Sequence, residues 1–126
     1  MSVDNPVSSL ATPSVMNRET ALARMGGDER LLLQMADFFL TDAATLVAEL
    51  DEAVRTGNVR GGHHAAHSLK GLAANFEALP AIAAARQIEL SCRDGNLEAC
   101  VPLMPRLKDE IARLSAALQA MMSHAG

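Results

Sequence analysis

Apolar residues recur at helical spacing over most of this chain. Leu31, Met35, Phe38, Phe39, Leu46, Leu50 and Val54 follow one another at such intervals, which lines one face of a helix with 3.6 residues per turn. Asp37, Asp42, Glu49 and Asp51 mostly fall off that stripe and read as a solvated face. Asp28 stands before the run as a cap and Gly57 after it as a stop, so the pattern predicts a helix over about 29–56. A second stripe runs through Ala65, Ala66, Leu69, Leu72, Ala73 and Phe76. Opposite it lie His63, His64, His67, Lys70, Gly71 and Ala74. Asn58 caps this helix, and Gly61-Gly62 predicts a frayed or bent first turn.

The third stripe is Ile82, Ala85, Ile88, Glu89 and Cys92, after a tight Ala78-Leu79 connection. Pro80 suits its first position, where the missing N–H would be unpaired anyway; the helix runs to about 93 and Gly95 stops it. The fourth is Leu103, Leu107, Ile111, Leu114, Leu118 and Met121, a helix over about 97–123. Pro102 and Pro105 near its beginning imply either a kink or a start near Val101. Upstream, Asn17 caps a short helix over about 18–25 that Gly26-Gly27 ends. Short loops favour antiparallel neighbours. The expected architecture is all-α: an antiparallel up-down-up-down four-helix bundle over residues 17–124, with a short extra N-terminal helix. Residues 1–16, with Asp4, Asn5, Pro6, Ser8, Ser9, Pro13 and Ser14, read as a flexible tail or linker.

Composition narrows the function classes. The 126 residues are 49% hydrophobic but only 2% aromatic, with no Trp or Tyr. The core must be Leu, Ala, Met, Val and Ile, which suits close-packed helices. A net charge of −4 argues against a nucleic-acid partner. No apolar run approaches the ~20 residues of a membrane span. Residues 1–17 lack the basic start and apolar run of a signal peptide, so a cytoplasmic protein is expected. Cys92 and Cys100 lack metal-ligand spacing and read as free thiols, with a disulfide or redox role as the alternative.

The candidate chemistry sits on the polar face of the second long helix. Lys70 and Gly71 lie one turn above His67. An imidazole in solvent thus has an ammonium beside it to meet an anion. Gly71 leaves room for a large partner. A glycine inside a helix costs roughly 1 kcal/mol against alanine, so its presence calls for a local reason. His63 and His67, four apart, could pair on a divalent metal. No carboxylate or cysteine clearly completes such a site, and no metal is expected. Neither glycine pair is followed by the Gly-Lys-Ser/Thr of a P-loop.

The run His67-Ser68-Leu69-Lys70-Gly71 resembles the His-x-Leu-Lys-Gly signature of histidine-containing phosphotransfer (HPt) domains. Ala66 before it, Asn75-Phe76 after it, Ile88-Glu89 and Gly95-Asn96 extend the match, which covers roughly residues 28–120. Glu77 departs from it, since the family usually has glycine there. The resemblance implies that His67 takes a phosphoryl group from an aspartyl phosphate on a receiver domain, of a response regulator or hybrid histidine kinase, and passes it to another receiver. It implies that Lys70 stands beside the phosphoryl oxygens and Gly71 gives clearance. Glu89 would accept the Nδ1–H of His67 and leave Nε2 free, and Arg93 would orient phosphate or partner. His63, His64 and Ala74 would belong to the docking face, with Phe39 or Leu40 from the preceding helix. No cofactor is implied on this chain; Mg²⁺ is expected on the receiver, and the chain is expected to be a monomer without an ATP site. Two rival readings fit the same residues. One is a structural or metal-binding bundle without phosphoryl chemistry. The other is the dimerisation helices of a histidine kinase, disfavoured by Ser68 where such kinases usually carry an acid.

Overall fold

The computed structural model describes residues 14–125, and the tail expected over 1–16 lies mostly outside them. Five α-helices follow one another: α1 Arg18–Arg24, α2 Glu29–Thr56, α3 Val59–Ala74, α4 Leu79–Arg93 and α5 Met104–Ala125. A 3-10 helix, Glu98–Leu103, lies between α4 and α5. Each long helix packs on its chain neighbour, and α5 closes the ring against α2. The result is a four-helix bundle with α1 as the short extra helix, and no described residue forms a strand.

The caps explain where the helices begin. Asn17, Asp28 and Asn58 each accept a hydrogen bond from the backbone N–H three residues on, satisfying a donor the helix leaves unpaired. Gly57 and Gly95 take left-handed backbone after α2 and α4. The first turn of α3 is regular, contrary to the fraying expected from Gly61-Gly62. Asn58 holds it at Gly61, and Gly62 is there for packing. A Cβ on Gly62 would lie 3.0 Å from the Cys92 sulfur and 3.5 Å from a Leu97 methyl. Gly62→Val should therefore overpack the α3–α4 contact and cost about 1–3 kcal/mol, read as a lower melting temperature.

Two proline expectations change. Pro80 is the second residue of α4, not the first. The last helix does not start at 97 or at Val101; the chain makes a 3-10 helix through Pro102, and α5 begins at Met104 with Pro105 in its first turn. Two residues without a backbone N–H, three apart, keep the α-helical ladder from forming before Met104.

The buried side of α2 is Leu32, Ala36, Phe39, Ala43, Leu50 and Ala53. Leu31 and Phe38, assigned to the core stripe by sequence, are exposed, Phe38 by 59%. Counting only large apolar residues rotated that stripe, because alanines do much of the packing here. Ala65, Ala66 and Ala73 of α3 and Ala81, Ala84 and Ala85 of α4 are all buried. Phe39 meets Phe76 edge to face at 5.9 Å, which pins α2 to the end of α3. Val15 and Met16, placed in the tail by sequence, are partly buried against the same core. By length and composition α2 could cross a membrane. Its average hydropathy reaches that level although Asp37 and Asp42 interrupt the run, and Leu32, Ala36, Phe39 and Ala43 within it are buried in the bundle.

Candidate functional site

The small residues between α3 and α4 let the two helices approach, and this brings Glu89 of α4 beneath the polar face of α3. Glu89 is only 12% exposed, and three side chains of α3 converge on its carboxylate. His67 Nδ1 lies 2.7 Å from Oε2. The Lys70 ammonium lies 2.7 Å from Oε1. Oε1 is buried without a directed hydrogen bond, so this contact is an ion pair. His63 Nε2 lies 3.7 Å from Oε2. Spacings of three and four residues put all three α3 side chains on one helix face.

Burial by itself would push the Glu89 carboxyl up. The contacts with Lys70 and then His67 outweigh it and hold the carboxyl below the ordinary range. An ionised carboxylate can only accept, so His67 Nδ1 is the donor. In the neutral ring the other nitrogen, Nε2, then carries the lone pair. His67 is 63% exposed, so it is open to attack from solvent or from a partner.

Because Glu89 titrates lower in the folded chain than in the unfolded one, its stabilisation is complete above the ordinary carboxylate range. It is lost as pH falls through the lowered value. Glu89→Gln should cost about 1–3 kcal/mol at neutral pH. Thermal melts should show the gap from wild type closing below about pH 4.

The remaining sequence candidates lie farther out. Gly71 is exposed, and a Cβ there would meet nothing within 4 Å. His64 is exposed on the α2 side of His67, in a shallow groove with Thr45, Ala48 and Glu52. Ala74 is half-buried near the end of α3. Arg93 is exposed and lies nearest to Asp94, at 3.7 Å, without joining the Glu89 cluster among the described ion pairs. Phe39 is fully buried and cannot line a docking face; Leu40 is partly buried against the core. The exposed aromatic is Phe38.

Sequence reasoning missed how α1 is tied to the end of α3. Glu77 has φ +52, a left-handed conformation that favours glycine. Its carboxylate accepts from Arg24 at 2.8 Å, while Arg24 also donates to the Ala74 carbonyl at 3.1 Å. The usual glycine at this position was the available signal, since it marks a turn that needs positive φ. Among the described residues no group of three His, Cys, Asp or Glu is arranged to hold a metal ion. Cys92 and Cys100 are buried, unbonded thiols 3.7 Å apart. Burial first, then the contact with Cys100, pushes the Cys92 thiol up to about 12, so it is a poor nucleophile.

Comparison with known proteins agrees with the helical-bundle fold. The family model described as Hpt domain matches residues 34–117. No curated protein matches the chain. Among solved structures, histidine-containing phosphotransfer protein B (HptB) from Pseudomonas aeruginosa PAO1 is similar, with a TM-score of 0.81 and 20% identity over 90% of this chain and 98% of that one. The HPT domain from the Hpt sensor hybrid histidine kinase from Shewanella is similar too, with a TM-score of 0.77 and 18% identity over 87% of this chain and 95% of that one. At these identities the two structures establish a shared fold.

Proposed function

The chain belongs to the Hpt domain family, whose members carry phosphoryl groups in phosphorelays and interact with receiver domains, and we propose that His67 is its phosphoryl carrier. The observation that carries this reading is the pairing of an exposed imidazole with a mostly enclosed, ionised carboxylate at Nδ1. That contact fixes the ring and leaves Nε2 as the nucleophile.

The Nε2 lone pair attacks the phosphorus of an aspartyl phosphate on a receiver. The P–N bond forms as the P–O bond to aspartate breaks, and the aspartate leaves as a carboxylate. Nδ1 keeps its proton throughout, so the phosphorylated ring gains positive charge, and Glu89 beside Nδ1 stabilises it. Reversal onto a second receiver uses the same contacts. Phosphoryl transfer depends chiefly on positioning and charge neutralisation. Lys70, one turn on from His67 on the same helix face, would meet the phosphoryl oxygens. The receiver would bring the Mg²⁺, so this chain needs no cofactor of its own and no ATP site. The partners in this reading are receivers of response regulators or hybrid kinases, met by a monomer in the cytoplasm.

The docking face would run over His64, His67, Gly71 and Ala74, with Phe38 of α2 in the part expected of Phe39. Arg93 would lie at its rim. Incubating the chain with a panel of phosphorylated receiver domains and following label onto it tests the reading. Transfer from at least one of them is expected, and none from any of them would leave a bundle without phosphoryl chemistry.

A further inference from the structure

His63 and His67 meet the same carboxylate oxygen. Glu89 Oε2 lies 2.7 Å from His67 Nδ1 and 3.7 Å from His63 Nε2. The two rings are parallel to within 6°, with centroids 6.2 Å apart. Glu89 is nearly enclosed, while the His63 side chain is 41% exposed and can exchange protons with solvent. The relay chemistry uses His67, Lys70 and Glu89 and leaves His63 without a task.

We propose that His63 is a positioning residue that sets how much of the Glu89 charge is available to His67, so that protonating His63 slows phosphoryl uptake. This rests on His67 being the carrier and adds a regulation of that site. Uptake puts positive charge on the His67 ring, as its Nε2 bonds phosphorus and its Nδ1 keeps a proton. A neutral His63 leaves the Glu89 charge to that ring. An imidazolium at His63 draws on the same oxygen and repels the charge developing beside it.

The charged and titratable groups around His63 do not mask it. Glu89 faces it from α4, and His67 stacks on it from its own helix. Lys70 reaches it only through the shared carboxylate. Arg60, one turn before it, is exposed and forms no ion pair among the described residues. Arg93 of α4 lies nearest to Asp94. No carboxylate of α2 lies within ion-pair distance of the His63 ring. Two unit charges 6.2 Å apart in a water-like medium change a rate by about threefold.

The test measures phosphorylation by a small phosphoramidate donor at pH 8. His63→Phe keeps an aromatic ring and cannot be charged; His63→Gln is uncharged and polar; His63→Lys carries a permanent charge. His63→Lys should be about threefold slower than both uncharged variants. Equal rates in all three variants overturn the proposal. His67→Gln run alongside separates the two readings. If it takes label, the carrier assignment falls and this inference with it; if it stays unlabelled while the three rates are equal, only the role of His63 is lost.

Discussion

His67→Gln is expected to take no label from a phosphorylated receiver domain that labels the wild-type chain, while melting within about 1 kcal/mol of it. The two halves of this expectation come from different parts of the geometry. Loss of transfer follows because no other imidazole has the same surroundings. His64 lies on the α2 side, away from the Glu89 cluster. His63 approaches the carboxylate through Nε2 at 3.7 Å, so the nitrogen that would attack in His67 is turned inward in His63. Retention of the fold follows because His67 is largely exposed and touches only Glu89 among charged partners. A glutamine amide can still donate to Oε2, so the mostly enclosed carboxylate keeps a partner. Label on His67→Gln that disappears from His63→Gln or His64→Gln would move the carrier to that residue.

Helix number, order and caps were legible in the sequence because each rests on local chemistry. Asn17, Asp28 and Asn58 stand where a side-chain oxygen can reach an unpaired N–H. What was not legible was decided by packing between helices. The core stripe of α2 depends on which side meets α3 and α5, and alanines carry no weight in a count of large apolar residues. Phe38 and Phe39 are equal in such a count, yet one is 59% exposed and the other is buried against Phe76. The site shows the same division. His67, Lys70 and Gly71 are close in sequence, so helical spacing alone joins them. Glu89 needed the resemblance to be brought to His67, since nothing local says which residue of α4 faces α3. The approach of His63 to the same oxygen had no sequence signal at all. Arg93, expected one turn beyond Glu89 to orient phosphate or partner, is exposed at the end of α4 and lies 3.7 Å from Asp94.

Gly71→Leu should move stability and activity in opposite directions. A glycine in the interior of an exposed helix costs roughly 0.8–1 kcal/mol against a good helix former. At Gly62 the fold itself supplies the compensation, because the Cys92 sulfur would meet a Cβ at 3.0 Å. Gly71 has no such neighbour. A Cβ there meets nothing within 4 Å, and its backbone is ordinary helix. The melting temperature of Gly71→Leu should therefore rise, by the equivalent of about 0.5–1 kcal/mol. Transfer from a phosphorylated receiver should fall on the order of 100-fold, because a side chain one turn above His67 holds the incoming aspartyl phosphate away from Nε2. Phosphorylation by a small phosphoramidate should change little, since a donor of that size needs no clearance above the ring. Docking on a face of small and apolar residues also predicts only a mild weakening with added salt, whereas charge-driven docking would be screened within about 8 Å at physiological ionic strength. A Gly71→Leu chain that melts higher and still transfers at the wild-type rate would place the receiver elsewhere on the bundle and leave the glycine without a role.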